Sequence, residues 1–202
     1  MITAPAGYGK VWQDQGNDYW VGMYSEEAPY HETFLEWLES HRRDTKSILE
    51  VGCGSGVYMT GHPKHFFGMV YTGIDISQSG IDYAKANAGA EFIAEDFLQW
   101  DDDRVFDIVF SHCVIDHVYD PYEFLRKIVA KTRKRAFIST GGFTDWKPKD
   151  LNYNADLGFY LNTIPLEEVE TVLLGMLSAS EFTITPFETY GHIIEINRGV
   201  HE

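Results

Sequence analysis

The stretch "ILEVGCGSGVYM", residues 48–59, narrows the possible folds more than any other part of the chain. A short apolar run ends on Glu50, and glycine then stands at 52, 54 and 56. Glycine weakens strands and helices, so three within five residues mark a backbone that must turn tightly or approach something closely. A buried strand that feeds such a turn and then a helix leaves bare N–H groups at the helix start. It also leaves room for ligand atoms beside the main chain. Spacing removes two nucleotide-binding patterns. Gly56 and Gly61 have the phosphate-loop separation, but His62 follows where that loop needs Lys. Counted from Gly52, the dinucleotide fingerprint G-x-G-x-x-G needs glycine where Val57 stands. The pattern that remains is G-x-G-x-G.

The rest of the chain supplies a setting for that turn. Phe34, Leu35, Trp37 and Leu38 are spaced like the buried stripe of an amphipathic helix over 30–41. Apolar runs predict strands at 46–51, 70–77, 90–97, 104–115 and 135–143. Helices are expected at 77–89, starting from a serine cap, and at 120–134, with Pro121 in the first turn and bases in the last. A further helix is expected at 166–180, and two strands at 181–199 join near Tyr190–Gly191. Strands alternating with helices imply an α/β domain with a mostly parallel sheet covered on both faces. The last two strands follow one another too closely for a crossover, so they must be antiparallel. Residues 141–165 read as a long irregular loop, a kind more often functional than accidental.

Composition bounds the function. The 202 residues suit one domain, divided here into an N-terminal lid and helical segment at 1–45 and the α/β domain at 46–202. The formal charge of −15 argues against a nucleic-acid partner, because such affinity rests on Lys and Arg neutralising phosphates. The basic strip at 126–135 reads as a solvated helix face and its C-terminal end. Two cysteines, Cys53 and Cys113, in apolar strand-like surroundings suit a reduced compartment. No apolar run is long enough to span a bilayer, and residues 1–20 lack a signal peptide's apolar core. A cytoplasmic protein without a membrane partner is expected, and the oligomeric state is left open.

"ILEVGCGSG" resembles the first motif of the class I S-adenosylmethionine-dependent methyltransferases almost residue for residue. Asp75 in "YTGIDIS", Asp96 in "FIAEDF" and the segment "FDIVFSHCVIDHV" resemble three further motifs of that family, in the same order. The resemblance covers about 46–140 well and the C-terminus by topology only. It implies a single-domain Rossmann-like doubly wound sheet, mostly parallel, of order 3-2-1-4-5-7-6 with strand 7 antiparallel. It implies that Asp75 accepts both ribose hydroxyls, which a carboxylate can do because it has two oxygens. Asp96 would receive the adenine amino group. Cofactor contacts are implied at Glu50, Gly52, Cys53, Gly54 and Gly56, at Ile76 and Phe97, and at Ser111 and His112. Glu50 either fixes the loop by accepting backbone N–H bonds or favours the sulfonium cation. The helix after Gly56 departs from the family, because Gly61 and Pro63 should cut it short.

Methyl transfer from S-adenosylmethionine, which leaves S-adenosylhomocysteine, requires alignment of the nucleophile, exclusion of water and, for some acceptors, removal of a proton. His117, His112 and Asp116 follow the fourth strand on the side where the methyl should point. Histidine suits the proton transfer, although His117 could instead cap the turn and His112 could line the cofactor pocket through its backbone. No metal is expected, because the adjacent Cys113, Asp116 and His117 would rarely converge on one ion. Tyr19, Trp20 or Tyr24 could cover the sulfonium with an aromatic face or simply pack. Residues 8–30 are expected to order over bound cofactor. Phe143, Trp146, Tyr153, Phe159 and Tyr160 would form a second wall and favour an apolar or ring-containing acceptor. A small-molecule O- or N-methyltransferase is therefore expected. The alternatives are a protein methyltransferase and a non-catalytic S-adenosylmethionine-binding module.

Overall fold

The structure is a computed structural model. It describes residues 3–13, 29–140, 143–144, 149–187 and 191–199. The helices are α1 (Lys10–Gln13), α2 (Pro29–His41), α3 (Val57–Gly61), α4 (Gln78–Asn87), α5 (Pro121–Lys131) and α6 (Leu166–Leu174). The strands are β1 (Ser47–Val51), β2 (Val70–Asp75), β3 (Glu91–Ala94), β4 (Phe106–His112), β5 (Thr132–Thr140), β6 (Phe143–Thr144), β7 (Asp150–Asn154), β8 (Phe159–Pro165), β9 (Phe182–Phe187) and β10 (Gly191–Asn197).

Seven strands form one sheet in the order β3-β2-β1-β4-β5-β10-β9. β1 to β5 are parallel, and β10 runs antiparallel between β5 and β9. This is the Rossmann-like order expected, the antiparallel strand included. Apolar side chains leave both faces of the sheet. On one face Leu49, Val109, Ala136 and Ile194 meet Leu125 and Ile128 of α5 and Val169 and Leu173 of α6. On the other face Ile48, Ile108, Phe110 and Phe137 meet Phe34 and Leu38 of α2, Tyr58 of α3 and Ile81 of α4. Phe34 stacks on Phe110 with ring centroids 4.2 Å apart.

The parallel register sets Val51 beside Ile74, Asp75 beside Ala94, and His112 beside Ser139. The turns that carry Gly52, Asp75, Asp96 and His112 therefore open along one edge. As expected, α3 stops after five residues, and a 3-10 turn begins at Pro63. Ser77 caps α4 by accepting the Gly80 N–H.

Several expected boundaries move. The third strand ends at Ala94, so Asp96 sits in the turn beyond it, where its carbonyl accepts the N–H groups of Gln99 and Trp100. α5 ends at Lys131, and β5 takes Thr132–Thr140, because Thr132 and Arg135 pair with β4. The basic strip is thus divided between a helix and a strand. Arg133 pairs with Asp107 and Arg135 with Asp44. α6 stops at Leu174 before Gly175. The expected loop at 141–165 is largely ordered: β7 and β8 form an antiparallel hairpin, and β6 joins β8 in parallel. Tyr19, Trp20, Tyr24, Trp146 and Tyr190 lie outside the described residues. Among the described residues, no helix is long and apolar enough to cross a membrane.

Candidate active site

Gly52, Gly54 and Gly56 all have positive φ, at +79°, +51° and +68°. Gly52 also has no space for a side chain, since a Cβ there would lie 2.2 Å from Val114 Cγ2. The turn is tied to the next strand, because Gly52 and Cys53 donate their N–H groups to the Ile74 carbonyl at 2.8 and 3.2 Å. Asp75 then binds the turn directly. Its Oδ2 accepts the Gly54 N–H at 2.8 Å, and its Oδ1 accepts the Ser77 N–H at 2.7 Å. Burial raises the Asp75 carboxyl above the usual range, against these two backbone bonds. Each oxygen keeps a second acceptor position, so the carboxylate can still take hydroxyl donors.

Asp96 is built in a similar way. Its Oδ1 accepts the Leu98 N–H at 3.0 Å, and its Oδ2 accepts the Tyr119 hydroxyl at 3.0 Å. Burial raises this carboxyl too. Tyr8 sets its ring edge-on to Tyr119, with centroids 5.1 Å apart. Burial, and then the charge of Asp96, push the Tyr8 phenol far above its ordinary value.

A cavity lies along this edge, walled by Gly52, Gly54, Asp75, Ile76, Asp96 and Phe97. His112, His117, Tyr8 and Trp12 complete it on the other side. The expected positions Glu50, Cys53, Gly56 and Ser111 stand behind that wall. Glu50 accepts the Tyr71 hydroxyl rather than loop N–H groups, and burial, then the charge of Asp75, raise its carboxyl. Cys53 is buried under Gly73, and Gly56 packs against Phe92. Ser111 donates its hydroxyl to the Val51 carbonyl at 2.9 Å. Cys113 is the one non-glycine with positive φ among the described residues, at +53°, and it also lines the cavity.

The two histidines differ. His112 is buried, with Nδ1 paired to Ser139 Oγ at 2.7 Å, and burial followed by His31 pushes its imidazole well below the usual value. It is neutral at neutral pH. Nδ1 of His117 lies 2.9 Å from the Tyr160 carbonyl, which can only accept, so Nδ1 carries the hydrogen. Nε2 of the neutral ring then holds the lone pair, 3.9 Å from Asp116 Oδ2. Asp116 is held in turn by the Thr140 hydroxyl at 2.9 Å.

The motifs led to Asp75 and Asp96, which line the cavity, but did not single out Tyr8 or Trp12, whose segment has no periodicity to fix a position. It also missed Val114, whose fit to Gly52 is a contact between turns. Among the described residues, no group of three His, Cys, Asp or Glu side chains could hold a metal.

A glycine turn, an acid ending β2, a second acid after β3 and a cavity over all three, on a sheet of order β3-β2-β1-β4-β5-β10-β9, define a Rossmann-like α/β architecture with a candidate ligand site along one sheet edge. The chain belongs to the methyltransferase-domain family, whose model matches residues 42–162. It is 34% identical over 115 residues to the ubiquinone biosynthesis O-methyltransferase of Rickettsia bellii (strain OSU 85-389), covering 52% of this chain and 47% of that protein. It is 33% identical over 103 residues to the enzyme of the same name from Coxiella burnetii (strain Dugway 5J108-111), covering 47% and 43%. The chain thus spans about half the length of the curated relatives it matches. Among solved structures, it resembles magnesium protoporphyrin IX methyltransferase from Synechocystis PCC 6803 with bound S-adenosylmethionine. The TM-score is 0.67 at 16% identity, covering 98% of this chain and 100% of the other. The plantazolicin methyltransferase with S-adenosylhomocysteine gives 0.64 at 19% identity, covering 96% and 94%. At these identities the structural likenesses establish the fold.

Proposed function

We propose that this chain is an S-adenosylmethionine-dependent methyltransferase acting on a hydroxyl of a small, ring-bearing acceptor. One observation carries the reading. A cavity floored by bare glycine backbone and two half-buried carboxylates, at Asp75 and Asp96, opens beside a histidine whose tautomer is fixed. Among nucleoside cofactors, an adenosyl sulfonium suits this site well, because its two ribose hydroxyls and its amino group are donors facing acids. Bound there, the cofactor would supply an activated methyl group on positive sulfur.

The chain's own residues have three tasks. Asp75 holds the glycine turn and receives the ribose hydroxyls, and Asp96 receives the adenine amino group. Trp12 and Phe159, with centroids 5.3 Å apart, present an aromatic wall beside His117 and help exclude water. Nε2 of His117 accepts the proton that the acceptor hydroxyl loses. The curated relatives named for O-methylation favour oxygen over nitrogen as the methylated atom.

The test uses methyl-labelled S-adenosylmethionine with cell extract separated into small-molecule filtrate and macromolecular retentate. Label entering the filtrate is expected. Label entering only the retentate makes the acceptor a macromolecule, and label in neither leaves a binding module. With the acceptor known, His117→Ala should lower kcat by about 10²–10⁴ if the ring moves the proton.

A further inference from the structure

Residues 3–13 cross the cavity and are fastened on both sides. Gly7 and Gly9 have φ of +79° and +77°, and the segment closes with the short helix α1. On the side of the Asp75 turn, the hydroxyls of Ser77 and Ser79 both donate to the Trp12 carbonyl, at 2.6 and 3.2 Å. Gly9 fits against Ile76, where a Cβ would lie 2.9 Å from Cδ1. On the side of the β7–β8 hairpin, the Gly9 N–H donates to the Gly158 carbonyl at 2.6 Å and the Val11 N–H to the Leu157 carbonyl at 3.2 Å. The Tyr153 hydroxyl donates to the Ala6 carbonyl at 3.0 Å. A Cβ at Gly158 would meet the Gly7 carbonyl oxygen at 2.4 Å, so only glycine admits the crossing.

These fastenings form a continuous path between two parts of the site. Asp75 accepts from the N–H of Ser77, and the hydroxyl of Ser77 holds Trp12. The Trp12 ring lies against Phe159 and 6.2 Å from the ring of His117. The Tyr8 hydroxyl donates to the His117 carbonyl at 3.5 Å. Tyr8 and Trp12 are themselves cavity wall. A ligand on the floor therefore touches a surface that exists only while the segment is seated. Such a ligand binds the seated state better, and it shifts the population by that difference.

We propose that residues 3–13 are a strap whose seating is coupled to cofactor occupancy, with Ser77, Ser79 and Gly158 as its positioning residues. The cofactor then completes the acceptor wall, because Trp12 reaches His117 only when the strap is down. This rests on the reading that the cavity takes an adenosyl cofactor.

Lys10 lies exposed on the strap and reports its state. The full chain is digested with trypsin at saturating S-adenosylhomocysteine and without it, and calorimetry on the same samples measures binding. Cleavage after Lys10 is expected to slow by roughly tenfold or more, since a cut needs the open strap. Gly158→Val should abolish that protection. Ser79→Ala, which leaves the hairpin intact, should weaken it several-fold, and Ser79→Thr should restore it. One cleavage rate with and without ligand, in a chain that calorimetry shows saturated, overturns the coupling. Full protection in both Gly158→Val and Ser79→Ala overturns the assignment of the positioning residues. No binding heat overturns the cofactor reading itself, and the coupling with it.

Discussion

Asp75 shows how one side chain can serve two structures. Its carboxylate receives N–H groups from the glycine turn and from the start of α4, so it organises the pocket before any ligand arrives. Asp75→Asn replaces one acceptor oxygen by an amide nitrogen that faces a backbone N–H or a ligand hydroxyl. Leaving a buried donor unpaired costs roughly 1–3 kcal/mol. Calorimetry should therefore show S-adenosylhomocysteine binding weakened by about tenfold or more. Unchanged affinity would remove Asp75 from the site. Gly52 is constrained differently, by its φ of +79° and by Val114 against its α-carbon. Gly52→Ala should destabilise the fold by about 1–3 kcal/mol, read as a lower Tm in thermal unfolding, since the turn must move before a methyl group fits.

At the scale of elements, much was legible because periodicity and punctuation coincide. Ile48, Leu49 and Val51 are apolar and buried, Ser77 is a helix cap by chemistry, and Pro63 ends α3 because it cannot continue a helix. The β7–β8 hairpin was not legible. Its strands mix Asn152, Asn154, Asn162 and Pro165 with aromatics, and neither alternates cleanly. The hairpin is held by contacts distant in sequence. The Tyr160 carbonyl accepts from His117, and the Asn162 side chain donates to the Val118 carbonyl at 2.7 Å. The start of β5 was hidden for a related reason. Thr132–Lys134 reads as the charged end of a helix, and pairing with β4 and an ion pair from Arg133 to Asp107 make it a strand. The candidate site divided along the same line. Asp75 and Asp96 follow strands that hydrophobicity marks, whereas Trp12 reaches the cavity through the strap. Asn162→Ala deletes the hairpin's buried donor and should cost about 1–3 kcal/mol of stability. Because the hairpin fixes the His117 tautomer, kcat should fall more than S-adenosylhomocysteine affinity. Equal losses in steady-state kinetics and calorimetry would separate the hairpin from the proton transfer.

At the scale of the whole molecule, one layer of the fold carries histidines where most proteins carry only apolar residues. His31 of α2 packs against Tyr58, and its ring centroid lies 6.1 Å from that of His112 on β4. Burial, and then the charge of His62, lower the imidazole of His31 to about 4 from an ordinary 6.5. His112 moves in the same direction. The unfolded chain therefore takes up protons at a higher pH than the folded one. The stability these groups confer is complete above about 6.5 and is lost as pH falls towards 4. For His31 alone the loss by pH 5 is roughly 1–2 kcal/mol. The net charge acts in the opposite sense. Repulsion among the residues behind a formal charge of −15 relaxes as pH approaches the isoelectric point near 4.8. A falling Tm between pH 7 and 5 would thus run against the trend of the overall charge. His31→Phe keeps an aromatic ring on Tyr58 and removes one buried titration. Its Tm should fall less steeply than that of the parent chain over the same interval. Parallel curves for the two proteins would mean that His31 takes its proton in the folded chain as readily as in the unfolded one, and His31 would then carry no pH sensitivity.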